Sequence, residues 1–144
     1  MTELSKVYDA FLSKILDDEW ENWTRDQMEQ DLYTLLQGAV TWFKFPRVSL
    51  EFTEEGFEDD LTNEEIQILA CYMKCEWLNR TILTWENVKP LYEERDFSQA
   101  NLIDKFNAML AAEKKTAQKL EANYYRSVKK KPFLYRKLAR QYDD

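Results

Sequence analysis

Histidine is absent from this 144-residue chain, and glycine, proline and cysteine are scarce. Without histidine the chain lacks the commonest general base and the commonest metal ligand. The two glycines, Gly38 and Gly56, cannot form a glycine-rich phosphate loop, and few glycines and prolines favour long helices. No apolar run is long enough to span a membrane, and the first residues do not form a targeting peptide. We therefore expect a protein made in the cytoplasm, with no membrane partner.

The two cysteines, Cys71 and Cys75, are spaced one helical turn apart. A zinc site needs further ligands, and no histidine or third cysteine can supply them. No histidine is present to activate Cys71, and no serine stands in a nucleophile-elbow context. The sequence predicts two buried thiols, no metal, no cofactor and no enzymatic activity.

Charge is divided unevenly along the chain, whose net charge is −7. Residues 1–65 contain 17 acids and 5 bases, whereas residues 114–140 contain ten bases and one acid, Glu121. This asymmetry predicts a molecule with two unlike ends. Copies could associate acid to base, or the basic end could meet a separate acidic partner.

Apolar periodicity predicts an all-α fold: a helical bundle of about four main helices, with one long C-terminal helix and one short extended excursion near residues 47–52. Capping boxes at Thr24–Gln27 and Thr62–Glu65 mark two helix starts. The main helices are expected at residues 2–19, 24–45, 62–85 and 99–129, the last capped by Ser98 and ended by Pro132, with a short helix at 85–95. We expect a helical domain at 1–131 and a basic aromatic tail at 132–144.

Five tryptophans and an apolar heptad pattern in the last helix suggest how the helices pack. Trp42 and Trp77 are expected in the core, and Trp20 and Trp23 at a contact surface. In the last helix the apolar positions follow a seven-residue repeat in two rows. The first row is Ile103, Leu110, Ala117 and Tyr124; the second is Phe106 and Leu120, and Glu113 breaks it.

The excursion near residues 47–52 is the first candidate interaction segment. Its apolar residues Val48, Leu50 and Phe52 alternate with polar ones, which is typical of a half-buried strand. Such a strand must either pair with a neighbouring subunit or be an extended loop. An acidic run follows it: Glu54, Glu55, Glu58, Asp59 and Asp60. This run could be solvated surface, contact a basic partner or, through the Glu55–Glu58 spacing, bind magnesium as in all-α pyrophosphatases.

The C-terminal segment is the second candidate, because it interleaves bases with large apolar residues. The candidate docking residues are Lys129, Lys130, Lys131, Phe133, Leu134, Tyr135, Arg136, Leu138, Arg140 and Tyr142. Aromatic and arginine side chains favour docking on a protein groove, whereas the acidic remainder of the chain disfavours general nucleic-acid binding. A solvated tail and a nucleic-acid contact are the alternatives.

The strings LTNEEIQILACYMKCEWLNR (61–80), WENVKPLY and DFSQANLIDKFNAML (96–110) resemble head–tail connector proteins, the neck adaptors of tailed bacteriophages of Gram-positive hosts. The resemblance covers residues 5–125. It implies a virion structural protein that forms a ring, often of twelve copies, between the portal protein and the next neck or tail-completion protein. DNA would pass through the ring without sequence-specific binding. The C-terminal segment would dock on the portal, and the segment from Val48 to Asp60 would form a channel or intersubunit surface. The alternatives are an acidic helical binding protein, such as an antitoxin or DNA mimic, and a magnesium-dependent nucleotide pyrophosphatase.

Overall fold

The computed structural model describes residues 1–15, 23–88 and 96–142, with the side chains of 85–88, 96–102 and 127–142 excepted. These ranges contain four helices: α1 (Leu4–Leu12), α2 (Arg25–Trp42), α3 (Asn63–Val88) and α4 (Asp96–Tyr142). They also contain one antiparallel hairpin of two short strands, β1 (Phe52–Thr53) and β2 (Gly56–Phe57). The predicted fold class, an all-α bundle with a short extended excursion, is confirmed.

Helix α3 lies at the centre of the bundle and contacts α1, α2 and α4. Its side chains are buried on several sides, including Leu69, Met73 and Leu78, as expected for a helix with neighbours all round. The predicted capping box is present: the Thr62 hydroxyl accepts from the Glu65 amide at 3.3 Å, and the Thr62 amide donates to the Glu65 carboxylate at 2.8 Å. The predicted end near Trp85 and a separate helix at 85–95 are wrong in part. Helix α3 runs on to Val88, and residues 89–95 lie outside the described part of the chain.

Helix α2 begins and ends close to where the sequence predicts. Its capping box pairs Thr24 with Gln27 in both directions, and the chain becomes extended at Phe43, shortly before Pro46. Leu32, Leu36 and neighbouring apolar residues bury one face of the helix against α3. The capping signal and the apolar stripe agree, so local and tertiary preferences support the same helix.

Helix α1 is shorter than predicted. It spans only Leu4–Leu12 and is followed by a turn; residues 16–22 lie outside the described part of the chain. Thr2 does not join the helix because its backbone pairs with Phe57, with N–O distances of 3.3 and 2.8 Å. The Thr2 hydroxyl also accepts from the Leu61 amide at 2.8 Å. A tertiary contact therefore holds the first residues beside the hairpin.

Of the two alternatives for the excursion at residues 47–52, the extended loop holds for residues 47–51, which are not part of a strand. Regular pairing begins only at Phe52, and the partner is the same chain: Phe52 pairs with Phe57 and Thr53 with Gly56. Gly56 has φ +139°, and a Cβ there would lie 2.5 Å from the Thr2 carbonyl oxygen, so only glycine suits this position. The strand hydrogen bonds of Phe52 and Thr53 are made within the chain, so the alternative in which the excursion pairs with a neighbouring subunit is not needed for them.

Helix α4 extends further in both directions than the sequence predicts. It begins at Asp96, which places Ser98 inside the helix, and it continues through Pro132 to Tyr142. Proline removes one main-chain hydrogen bond from a helix but does not always end it. The backbone is therefore helical on both sides of the domain boundary predicted at residues 131–132. The first row of the predicted apolar repeat packs on the bundle: Ile103, Ala117 and Tyr124 are buried and Leu110 is partly buried.

Candidate interaction surfaces

The acidic run and the apolar residues before it face different environments. Leu50 is buried in the core, and Val48 and Phe52 are partly buried against the core. Their limited exposure does not support the predicted role of these three residues as a channel or intersubunit surface. Glu54 and Glu55 are exposed at the hairpin turn.

The other three acids of the run differ from one another. Asp59 accepts from the Ser49 amide at 2.7 Å, and Glu58 is exposed. The exposed Asp60 carboxylate pairs with the amino group of Met1, whose hydrogen bond and positive charge lower the Asp60 pKa. Two of the five acids thus also fix local structure.

An acidic groove of about 720 Å³ lies between α1, α2 and the hairpin turn. Among the described residues, the side chains that line this groove include five carboxylates and no lysine or arginine: Glu3, Asp26, Glu29, Glu54 and Glu55. One of the five, Glu29, pairs with Arg25 at 3.1 Å. The sequence analysis did not assign Glu3, Asp26 or Glu29 to any site. Asp26 and Glu29 are one turn apart on α2, which is a visible signal, but only the fold brings them to Glu3 and the hairpin turn.

Two tyrosines give the acidic groove an aromatic lining. Tyr8 comes from α1 and Tyr33 from α2, and the Tyr33 ring meets the Phe52 ring edge-on at 5.1 Å. Burial raises the pKa of Tyr8 to about 12, with smaller contributions from Tyr33 and Glu29. Both groove tyrosines are half-buried, so the groove combines negative charge with aromatic surface suited to cationic side chains.

The basic C-terminal segment, residues 127–142, is the last part of α4 and contains six bases and no acid. The side chains of the predicted docking residues between 129 and 142 lie outside those described. The backbone still fixes where the segment starts, because Tyr124 contacts Glu65 near the beginning of α3. Eighteen further helical residues, 125–142, extend about 27 Å beyond this level.

A buried tyrosine–carboxylate cluster joins α3, α4 and the chain after α2. The Tyr124 hydroxyl donates to Glu65 at 2.9 Å and accepts from the Arg47 amide at 2.8 Å. Glu65 is 1% exposed, and burial raises the pKa of Tyr124 to about 12. Nearby, the Tyr125 hydroxyl accepts from the Phe45 amide at 3.1 Å. These bonds hold residues 45–47 against α4.

Glu121 is a second buried carboxylate in the same region. Its pKa is raised by burial, against the opposing effect of hydrogen bonds from the Tyr125 hydroxyl, the Lys44 amide and the Tyr72 hydroxyl. Such a carboxylate, engaged with several donors inside the protein, fits a structural role in positioning the chain after α2.

Two aromatic side chains near this cluster are exposed. Phe45 is 72% exposed although its backbone is held by Tyr125, and Trp42 is 43% exposed. The core position predicted for Trp42 is therefore wrong, whereas Trp77 is buried. Trp42 stacks on Tyr72 and donates to a carboxylate, contacts that satisfy the indole without burying it. Trp23 is 39% exposed, and Trp20 lies outside the described residues.

Neither the two cysteines nor the acids Glu55 and Glu58 are arranged as a metal site in the described part of the chain. Cys71 and Cys75 are buried, free thiols, and burial raises their pKa values to about 11 and 12. Glu55 and Glu58 lie on the hairpin, not on paired helices as in the pyrophosphatase arrangement. Among the described residues, no three such side chains are placed to hold a metal ion together.

Comparison with protein-family models, with curated proteins and with solved structures found no match to this chain. In the described part of the chain, no helix combines the length and apolar character required to cross a membrane.

Proposed function

We propose that this protein is a structural subunit of the head–tail connector of a tailed bacteriophage. In this role it forms a neck adaptor ring that docks on the portal protein and continues the DNA channel towards the tail. The resemblance of residues 5–125 to neck adaptors motivates the proposal and implies about twelve copies, located in the virion neck. The next neck or tail-completion protein would bind on the far side.

The observation that carries the proposal is the division of α4 into two parts. Residues 103–125 supply buried positions to the bundle, such as Ala117 and Tyr124, whereas residues 127–142 continue the same helix with six bases and no acid. A continuous helix transmits the orientation of the bundle to its end. A basic, aromatic-rich helical end anchored in this way is suited to insertion into a groove of the portal.

The exposed acids of the hairpin support the channel part of the proposal. Glu54, Glu55 and Glu58 are solvent-exposed, and a ring would repeat them in every subunit. Negative charge on a channel wall repels the phosphate backbone, so DNA moves through without sticking. Leu50 has no part in this surface because it is buried.

The test is native mass spectrometry and negative-stain microscopy of the protein with the portal protein of the same phage. A ring that forms on the portal supports the proposal. The variant Tyr135→Ala/Leu138→Ala is expected to abolish portal binding. The matched control, Leu83→Ala/Met109→Ala, removes two exposed apolar side chains elsewhere and should bind like the wild type. If Tyr135→Ala/Leu138→Ala binds the portal normally, the C-terminal segment is not the docking element. If the wild-type chain never binds the portal, the adaptor function is excluded.

A second function is favoured by the acidic groove, whose described lining carries five carboxylates, of which only Glu29 is paired with a base, Arg25. Such a groove suits an acidic binding protein that holds one basic partner or mimics nucleic acid. This function predicts a complex of fixed one-to-one stoichiometry and no ring. The same mass measurement, made with the basic partner, separates the two functions.

A further inference from the structure

The acidic groove and the basic C-terminal segment are complementary surfaces on one chain. The groove brings together carboxylates from three separate parts of the fold, with the half-buried Tyr8 and Tyr33 between them. The segment is helical and contains six lysine and arginine residues with no acid. Lysine and arginine pack their stems on aromatic surface while their charged ends reach carboxylates. A groove of about 720 Å³ is large enough to accept several such side chains.

The geometry of α4 decides that the two surfaces belong to different copies. The helix is continuous from Asp96 to Tyr142, so it contains no loop by which its end could fold back onto α1 and α2. Its final sixteen residues continue past the level where Tyr124 meets the start of α3. We propose that the acidic groove binds the basic C-terminal segment of a second copy of this chain, giving head-to-tail association of the free protein.

Head-to-tail contacts repeat from copy to copy, because each copy keeps one free groove and one free segment. Such an assembly closes into a ring if the rotation between copies allows it, and otherwise grows as a filament. The inference concerns the free protein and goes beyond the proposed ring on the portal, in which the segment occupies the portal and Glu54 and Glu55 face the channel. A segment bound in a neighbour's groove cannot at the same time occupy the portal, so portal docking and this contact compete.

The experiment measures self-association of the full chain by sedimentation velocity over a wide concentration range, at low and at high ionic strength. The groove variant is Glu54→Lys/Glu55→Lys, and the segment variant is Lys129→Glu/Lys130→Glu. Each variant alone is expected to associate at least about tenfold more weakly than the wild type. High ionic strength should weaken the association of the wild type, since the contact is largely electrostatic.

Two controls make the test specific. Asp9→Lys/Asp104→Lys makes the same charge change as the groove variant at exposed positions outside the groove, and should associate like the wild type. An equimolar mixture of the groove and segment variants should recover association into pairs, because the unaltered segment of the groove variant fits the unaltered groove of the segment variant. The inference is overturned by a wild type that stays monomeric at every concentration. Variants that associate normally, a control as weak as the groove variant, or a mixture that does not recover would each overturn it too. Portal binding is measured separately with the Tyr135→Ala/Leu138→Ala variant, so the failure of one proposal can be told from the failure of the other.

Discussion

Replacing Tyr124 by phenylalanine tests whether the buried tyrosine–carboxylate cluster stabilises the fold. The substitution keeps the ring, which is only 2% exposed and lies edge-on to Phe43 at 5.3 Å. It removes one oxygen atom. That atom donates to the Glu65 carboxylate at 2.9 Å and accepts from the Arg47 amide at 2.8 Å. The measured loss therefore reports hydrogen bonding and not a change in core volume.

The expected loss follows from the two bonds. A hydrogen bond to a buried charged group contributes about 1.5–3 kcal/mol, and Glu65 is 1% exposed. The amide of Arg47 loses a neutral partner in a partly buried place, which costs about 1 kcal/mol. Tyr124→Phe should lower the free energy of unfolding by about 3 kcal/mol, a large share of the stability of a typical domain.

Urea unfolding followed by tryptophan fluorescence and circular dichroism measures this loss. Thr116→Val is the matched control, because it also removes a single hydroxyl while keeping the side-chain shape. That hydroxyl donates to the Ala112 carbonyl at 3.0 Å in an exposed position, and its removal should cost about 1 kcal/mol or less. A double-mutant cycle with Glu65→Gln, which can keep the helix cap, should show a coupling energy of about 1 kcal/mol or more. A loss within about 0.5 kcal/mol of zero for Tyr124→Phe, or no coupling to Glu65, would refute the reasoning.

Three further predictions concern the hairpin, the second buried carboxylate and the thiols. Gly56→Ala should destabilise the protein by about 2 kcal/mol or more in urea unfolding, because its φ of +139° and a backbone contact at 2.5 Å leave no room. Gly38→Ala, whose added carbon meets only a movable glutamate side chain, should stay within about 1 kcal/mol of the wild type, and equal losses would contradict this. Glu121 has a raised pKa in the fold, so its contribution to stability is present at acidic pH and is lost as the pH rises through that pKa. Glu121→Gln should therefore gain stability relative to the wild type between acidic and neutral pH, and a pH-independent difference would argue against it. Cys71 and Cys75 should react with a thiol reagent only slowly in the native protein and rapidly in urea, since they are buried with raised pKa values. Fast labelling of the native protein would show that α3 is accessible on that side.

The sequence predicts the helices well where local signals and tertiary packing agree. Both capping boxes, Thr24–Gln27 and Thr62–Glu65, are present in the structure because their hydrogen bonds lie within one turn. The packing row of α4 also follows from the sequence, since a seven-residue apolar repeat keeps one face towards the bundle. At these positions the conformation of each residue depends mainly on residues within one or two helical turns, which can be read directly from the sequence.

Predictions failed where a distant segment decides the conformation. Thr2 has a helix-compatible sequence, yet its backbone pairs with Phe57 and the hydroxyl contacts Leu61. Trp42 occupies an apolar position on α2, yet its ring stacks on Tyr72 at the surface. Pro132 is a local helix-ending signal, but α4 continues through it. The contacts of Thr2 and Trp42 come from residues far along the chain, so they are not encoded within a few residues of either position. At Pro132 the local signal was given too much weight, because proline does not always end a helix.

The sequence by itself determined the helical class, the two capped helix starts and the opposite charges of residues 1–65 and 114–140. These depend on composition and on periodicity along the chain, which need no knowledge of distant neighbours. Only the tertiary structure decided which acids share a groove, because Glu3, Asp26 and Glu54 come from separate elements. The structure likewise decided that Glu65 and Tyr124 meet. Their side chains are 59 residues apart, and only the antiparallel packing of α3 and α4 brings the two oxygens within hydrogen-bond distance.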